Sequence, residues 1–287
     1  MPDIFLPLLA GYILRRWVFK EEDARVLINY VLYFALPITS FMAAHRLGIN
    51  REVISIVLLA WSSIIFCILL AWLVGKLFSI KGPTLRSFLL VSSFGNTAFL
   101  GYPYTVTLLG KEALPYAVIY DNLGSFLLVS SVGITVATGR PDIRRVITFP
   151  PFLALLIGFI TRPIEIPPYL YHAMELVSSS LPAVILFSMG LLLNLSHLKR
   201  GWGKVLGALL IKMGVSPLLT AWILQHTTLP DPAYKTVLLQ SSMPPMLMAG
   251  VLSVRYGLDV SLAFTSIGAG MLISFLTVPL IGRIIEK

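Results

Sequence analysis

Two polar stretches containing proline, the first of them also two glycines, interrupt otherwise apolar parts of this chain. They are SSFGNTAFLGYP at residues 92–103 and QSSMPP at residues 240–245. Proline lacks an N–H and clashes with the carbonyl four residues earlier, while glycine makes local unwinding cheap. Both stretches are therefore predicted to free backbone groups next to hydroxyl and amide side chains. Such groups can hydrogen-bond a small polar or anionic ligand.

The candidate substrate-binding residues lie in these interruptions or near them in the predicted fold. They are Ser92, Asn96, Thr97, Asp121, Asn122, Ser241, Ser242 and Met243. The candidate helix-breaking residues are Gly101, Pro103, Pro244 and Pro245. Unwound backbone at membrane depth persists only where it is buried in protein or faces a watery cavity. Paired interruptions therefore predict a binding site near the membrane midplane.

Two residues of opposite charge are expected inside the membrane. Asp121 lies about eight residues into an apolar segment, and Lys212 lies at a similar depth in a later one. A charge in the membrane is costly and needs a partner. Two interpretations of Asp121 stay open: a proton carrier beside the site, with Asn122 as a nearby donor, or a structural carboxylate paired with Lys212. Lys212 is also a candidate for attracting an anionic substrate.

The composition places these residues in a polytopic membrane protein. Hydrophobic residues make up 57% of the chain and charged residues only 12%, against roughly 25% charged in soluble domains. The net charge of +9 is spread over short loops, which fits membrane-flanking Lys and Arg and argues against a nucleic-acid-binding surface. Cys67 is the single cysteine and the four histidines lack metal-ligand spacing, so no metal or other cofactor is expected. The chain has no HExxH motif or nucleophile elbow, which argues against an enzyme.

Ten apolar segments are predicted, joined by short loops. They cover about 2–17, 27–44, 53–75, 85–109, 113–137, 148–162, 168–195, 203–225, 233–254 and 259–282. Lys and Arg favour the loops after odd-numbered segments about two to one, which predicts that these loops are cytoplasmic and both termini extracytoplasmic.

Three pieces of the first half recur in order in the second half, at nearly constant offsets of about 147 residues. LLAGYILR (8–15) is similar to LLIGFITR (155–162), and Ala-Leu-Pro at 35–37 is similar to Ser-Leu-Pro at 180–182. The Ser-Ser pair before Gly101 matches the Ser-Ser pair before Gly250. Five segments per repeat is an odd number, so the second repeat enters the membrane from the opposite side. The prediction is a first repeat at 1–137, a cytoplasmic linker at 138–147 and a second, inverted repeat at 148–287.

Several motifs give the whole chain a family resemblance. They are GYILRR (11–16), YFALP (33–37), GNTAFLGYP (95–103), YDNL (120–123), SLPAVILFSMGLLL (180–193) and SSMPPMLMAGVLSVRYG (241–257). With these motifs the chain resembles the auxin efflux carrier family, which includes bacterial malonate-carrier relatives. It departs from the plant carriers because it lacks a long central loop.

The resemblance implies an all-α integral membrane protein of ten helices in two inverted five-helix repeats, related in fold to the bile-acid:sodium symporters. The fourth and ninth helices would cross at their breaks. Segments 1, 2, 6 and 7 would form a scaffold that often dimerises, and the other six would form the core.

The implied function is secondary transport of a small organic anion, such as an indole carboxylate or a dicarboxylate, by alternating access in the plasma membrane. The expected partners are this anion, the lipid bilayer and a second copy of the chain. Transport would be coupled to a proton or driven by the membrane potential. Sodium is less favoured, since one intramembrane acid is few ligands for it. A sodium symporter and a channel or receptor on the same fold stay open as alternatives.

Overall fold

The computed structural model describes residues 2–20, 22–140, 148–192 and 202–285, and the regular elements in these ranges are all helical. In chain order they are α1 (Pro2–Leu14), α2 (Asp23–Leu47), α3 (Arg51–Leu77), α4 (Gly82–Ser93), α5 (Gly101–Leu109), α6 (Lys111–Thr138), α7 (Pro150–Ile160), α8 (Pro168–Leu192), α9 (Trp202–Leu224), α10 (Asp231–Ser241), α11 (Leu247–Arg255) and α12 (Val260–Ile285). Six of them, α2, α3, α6, α8, α9 and α12, are long and apolar enough to cross a membrane. These findings confirm the predicted all-helical membrane class.

The first and sixth predicted segments are shorter in the structure than a bilayer core. The helix α1 has 13 residues and α7 has 11 residues, so they are only about 20 Å and 16 Å long at 1.5 Å per residue. The predicted segment 2–17 ends early, at Leu14, before Arg15 and Arg16. The two short helices occupy matching positions in the two sequence repeats.

Glycines allow α1, α2, α7 and α8 to pack closely in pairs, and these four helices are called the scaffold group below. A Cβ added at Gly11 of α1 would lie 2.2 Å from the carbonyl oxygen of Phe187 in α8, and one at Gly158 of α7 would lie 2.4 Å from that of Phe41 in α2. Gly190 of α8 is equally close, because its Cβ would lie 2.1 Å from the carbonyl oxygen of Leu8. Any larger residue would force these backbones apart.

In the part of the chain that the structure describes, four stretches of helix are wound as wider π-helical turns, and two of these carry Asp121 and Lys212. Asp121 lies in the turn Tyr120–Phe126, and Lys212 lies in the turn Leu210–Val215. A proline that follows the second turn, Pro217, removes one helix donor and accounts for the widening there. No proline follows Tyr120–Phe126 in α6, where the indole N–H of Trp61 instead donates to the carbonyl of Leu123 at 2.9 Å. Turns of this kind are frequent at functional sites.

The exposed faces of the long helices are apolar, as a bilayer requires. In α3, for example, Leu58, Leu69 and Leu73 are each more than half exposed. The helix α6 ends at Thr138, and Gly139 follows with φ of 80°, the left-handed conformation that commonly closes a helix. Most of the predicted linker at 138–147, namely residues 141–147, lies outside the described residues.

Candidate functional site

The two interruptions predicted from sequence meet in the structure and pair through their backbones. The fourth segment is interrupted between Ser93 and Gly101, and the ninth between Ser241 and Leu247. The amide of Asn96 donates to the carbonyl of Pro244 at 2.8 Å, and the amide of Met246 donates to the carbonyl of Phe94 at 3.0 Å. This antiparallel bridge satisfies backbone groups that would be costly to bury alone.

The prolines act differently in the two interruptions. Pro103 lies in the first turn of α5, between the backbone bonds of Tyr102 to Ala98 and of Tyr104 to Leu100, so its missing N–H leaves the Phe99 carbonyl without that helical donor. The first interruption covers residues 94–100 and lies within the stretch 92–103 predicted from sequence. Pro244 and Pro245 lie inside the second interruption and rest on Gly270 of α12, where an added Cβ would lie 2.7 Å from Cδ of Pro245.

Two glycines at the crossing make room for long polar side chains. A Cβ at Gly95 would lie 2.9 Å from Cε of Lys212, and a Cβ at Gly101 would lie 2.2 Å from Oε1 of Gln240. Gln240 also donates from Nε2 to Oγ1 of Thr105 at 3.2 Å. A side chain at either glycine would displace a polar group from the crossing, so Gly101 acts here through its small size.

Lys212 is buried against the end of α10. Its Nζ donates to the carbonyl of Ser241 at 2.7 Å and lies 3.5 Å from Oγ of Ser216, which donates to the same carbonyl at 3.0 Å. Ser63 of α3 bonds to Ser216 at 2.9 Å. The ammonium therefore binds the negative end of a half-helix, which favours a cation.

Asp121 is buried against the other interruption. Its carboxylate accepts from Oγ1 of Thr97 at 2.5 Å and from the hydroxyl of Tyr102 at 3.0 Å. Thr97 belongs to the interruption and Tyr102 to the first turn of α5. The two charged residues thus have separate partners, and the interpretation of Asp121 as a carboxylate paired with Lys212 is wrong.

Other predicted site residues leave polar atoms without partners among the described residues. Asn96 is 4% exposed, and its side-chain amide makes no hydrogen bond there. The hydroxyl of Ser92 and Oδ1 of Asn122 are buried and unpartnered. Asn122 donates from Nδ2 to Oγ of Ser40 at 3.2 Å, which ties α6 to α2 of the scaffold group. Unpartnered buried polar atoms are rare, and they favour a site that accepts a ligand.

Three predicted site residues of the second interruption have their side chains turned into the protein. The hydroxyls of Ser241 and Ser242 donate back to the carbonyls of Leu238 and Leu239, at 2.7 Å and 2.6 Å. The side chain of Met243 is fully buried in the core. Of these residues, Ser241 has the direct link to a charged group, through its backbone carbonyl.

The half-helices α5 and α11 both begin at the crossing and leave amides free. Among the described residues, the amides of Thr97, Ala98 and Phe99 before α5 donate to no backbone acceptor, and neither do those of Leu247 and Met248 at the start of α11. Free amides and the helix dipole together make a helix N-terminus a binding site for anions.

Two clefts lie at different levels along α6, the first against the scaffold helices α2 and α8 and the second beside Phe149, the residue directly before the scaffold helix α7. The first cleft is lined by residues that include Thr39, Arg46, Glu112, Tyr171 and Ser178. The second cleft is lined by residues that include Phe126, Val129, Phe149, Met248 and Leu252.

Each cleft has a contact between the scaffold group and α6. In the first cleft Arg46 forms an ion pair with Glu112, and in the second Phe126 stacks on Phe149 with ring centroids 3.8 Å apart. Glu112 and Phe126 are 14 residues apart, about 21 Å along the helix. The start of α11 reaches the second cleft.

Sequence reasoning missed four polar residues of this region: Ser63, Tyr102, Ser216 and Gln240. Each is a polar side chain within an apolar segment, which was the available signal. Their partners lie mainly on other helices, so the signal alone could not show what they bind.

Comparison with known proteins supports a transport role. The model of the family described as "Membrane transport protein" matches residues 1–141 and 131–282. An uncharacterized transporter of Methanocaldococcus jannaschii is 31% identical over 98% of this chain and 96% of its own length. An uncharacterized transporter of Methanothermobacter thermautotrophicus is 26% identical over 97% of this chain and 95% of its own length. The chain is thus a multi-pass membrane transporter and not an enzyme, and it belongs to the membrane transport protein family, the family of the auxin efflux carriers.

Proposed function

We propose that this protein is a secondary active transporter that moves a small organic anion by alternating access around the crossing of α4–α5 and α10–α11. The observation that carries the proposal is the mutual backbone pairing of the two interruptions. It brings two half-helix N-termini with free amides together, and the start of the second, at Met248, lines the second cleft. Interrupted helices in matching positions are the typical binding site of secondary transporters.

An inverted repeat would give such a protein two related conformations, and scaffold packing supports it. Gly11 and Gly158 match in the sequence repeat, and each lies against a phenylalanine carbonyl of a partner helix. These partners, Phe187 and Phe41, are 146 residues apart, which is also the spacing of the repeat. The contact of α1 with α8 is thus repeated by α7 with α2. On this basis we propose ten membrane helices in two inverted repeats, at 1–137 and 148–287.

An anion is the substrate class that suits the polar groups near the crossing. The free backbone amides before α5 and at the start of α11 are donors. The side-chain amide of Asn96 adds a donor and an acceptor, and neither has a partner among the described residues. The lining of the second cleft is mainly apolar, which suits the hydrocarbon part of a carboxylate. A monocarboxylate with an apolar body fits this combination of a polar end and an apolar wall.

Proton coupling through Asp121 follows from its contacts. The carboxylate accepts hydrogen bonds from one residue of the interruption and one of the first turn of α5. A protonated carboxyl becomes a donor at one oxygen and so changes these bonds. Uptake of a proton would then alter the geometry next to the anion site. The sodium-coupled alternative has less support, because oxygens at the end of α10 already bind Lys212.

The remaining parts of the proposal concern the membrane. We place the protein in the plasma membrane with both termini extracytoplasmic, because Lys and Arg favour the loops after odd-numbered segments. The scaffold group would form a homodimer, leaving the other helices free to move against it. Cross-linking in membranes tests the dimer, and labelling of single cysteines placed in the loops tests the orientation.

Transport itself is tested in two steps. Detergent-purified protein is first screened by thermal shift against a few dozen carboxylates, because a ligand that binds the folded state raises its apparent stability. The best ligand is then used in liposomes for counterflow, in which internal unlabelled substrate drives uptake of labelled substrate. Counterflow requires a cycling site. Binding without counterflow would instead identify a channel or receptor, and no binding to any carboxylate would contradict the proposed substrate class.

A further inference from the structure

The environment of Lys212 resembles that of a bound alkali cation. Its ammonium lies at the C-terminal end of the half-helix α10, where it binds the carbonyl of Ser241 and lies near the hydroxyl of Ser216. The hydroxyl of Ser63 is the next oxygen, 2.9 Å from that of Ser216. The carbon stem of Lys212 packs on Gly95 of the other interruption. Lys212 thus contacts both interruptions, and Ser216 links its site to α3.

Oxygens of this kind are hard ligands, which suit cations such as sodium. In transporters with interrupted helices, unwound carbonyls and half-helix C-terminal ends bind the coupling cation. Here the chain supplies a positive charge from its own side chain. Because the side chain is covalently attached, this cation does not leave the site during a transport cycle.

We propose that the Lys212 ammonium is a built-in substitute for a sodium ion at the crossing, so that the protein neither binds nor needs sodium there. The inference deepens the proposed transport function and rests on it only for its meaning in the cycle. Whether or not the protein transports an anion, the site should not bind sodium, because the ammonium of Lys212 occupies it. Removing the amine but keeping the oxygens should create a sodium site.

Two substitutions at one position separate charge from volume. Lys212→Ala removes the ammonium and most of the stem, which leaves room beside the Ser241 carbonyl and the Ser216 hydroxyl. Lys212→Met removes the charge but keeps a long apolar side chain in the same space, so a hydrated cation gains little room. The pair therefore tests for a cation-sized vacancy and not merely for the loss of a charge.

The experiment measures thermal unfolding of purified protein in choline chloride, with sodium chloride replacing it stepwise at constant ionic strength. We expect no sodium-dependent shift for the wild type or for Lys212→Met. We expect Lys212→Ala to melt lower in choline and to recover with sodium, saturably and on the order of a few degrees. Potassium chloride in place of sodium chloride tests whether recovery depends on the size of the ion.

Several results would overturn the inference. A saturable, sodium-specific stabilisation of the wild type would show that sodium binds despite Lys212. An equal melting temperature of Lys212→Ala in choline and in sodium would show that the oxygens form no cation site. The same conclusion would follow if folded Lys212→Ala could be purified in neither salt. If sodium raised the melting temperature of Lys212→Met as much as that of Lys212→Ala, the space left by the lysine side chain would not be what binds the ion. These outcomes are independent of anion transport, so a failure of counterflow with the expected melting behaviour would count only against the proposed function.

Discussion

Replacing Asp121 with asparagine is the sharpest test of proton coupling, because both partners of its carboxylate are neutral hydroxyls. Thr97 donates to it at 2.5 Å and Tyr102 at 3.0 Å. Asparagine keeps the shape but offers one acceptor oxygen, so one hydroxyl loses its acceptor, at a cost of about 1–3 kcal/mol. We expect the Asp121→Asn variant to fold with reduced stability and to be unable to carry a proton.

The assay is uptake of the best-binding carboxylate into liposomes with an imposed pH difference and no membrane potential. With one proton per anion, a pH difference of one unit is worth about 1.4 kcal/mol and drives about tenfold accumulation. For Asp121→Asn we expect this accumulation to disappear, while exchange of labelled for unlabelled substrate persists. The exchange measurement shows that the variant still binds and cycles.

Tyr102→Phe is the matched control, because it removes one hydrogen bond from the same carboxylate and leaves the carboxyl able to titrate. It should lower stability by a similar amount and keep pH-driven accumulation. If Asp121→Asn still accumulates substrate about tenfold, Asp121 is structural and the coupling argument is refuted. If Asp121→Asn and Tyr102→Phe lose accumulation equally, transport depends on the hydrogen bonds to this carboxylate, and a role of Asp121 in proton transfer is not supported.

Three further predictions use the same purified protein. Asn96→Ala should weaken binding of the best carboxylate by roughly 5- to 150-fold, corresponding to about 1–3 kcal/mol, in a thermal-shift titration, and unchanged affinity would assign Asn96 a structural role. Gly11→Ala and Gly158→Ala should each lower the melting temperature, because the added Cβ would lie 2.2 Å and 2.4 Å, respectively, from a carbonyl oxygen. Overpacking of this kind costs about 1–3 kcal/mol. A melting temperature equal to that of the wild type would show that these helices separate easily. Gly101→Ala should be more destabilising than Gly214→Ala, which has open space around it, and equal melting temperatures would contradict the packing argument at the crossing.

Much of the helical organisation could be predicted from sequence, because hydropathy and proline or glycine content act locally. The membrane class follows from such signals and is confirmed by six helices long and apolar enough to span a membrane, and the family resemblance of the motifs is confirmed by the comparisons. Segment ends were less predictable. The helix α1 ends at Leu14 although the apolar pattern runs on to residue 17, and the first interruption takes up only residues 94–100 of the predicted stretch 92–103.

The partners of the polar residues could not be predicted, because they depend on which helix faces pack together: Asp121 bonds to residues 24 and 19 positions earlier, and Lys212 to one 29 positions later. Asp121 and Lys212 look like a charge pair in the sequence, since both are expected at similar depth. In the structure Asp121 accepts from hydroxyls at the first interruption, whereas Lys212 donates to a backbone carbonyl at the second and packs its stem on Gly95 of the first. Depth is set by position along a helix, but pairing also depends on which faces of packed helices meet.

The sequence by itself therefore determined that this chain is a helical membrane protein with two weakened helices, since breaking a helix needs only the residues at the break. The tertiary structure decided that the two breaks pair with each other. It also decided that Asp121 bonds at the first break and Lys212 at the second. The physical reason is that an unwound backbone must satisfy its hydrogen bonds somewhere. Only the packed arrangement shows that the amide of Asn96 finds the carbonyl of Pro244, 148 residues away in the chain.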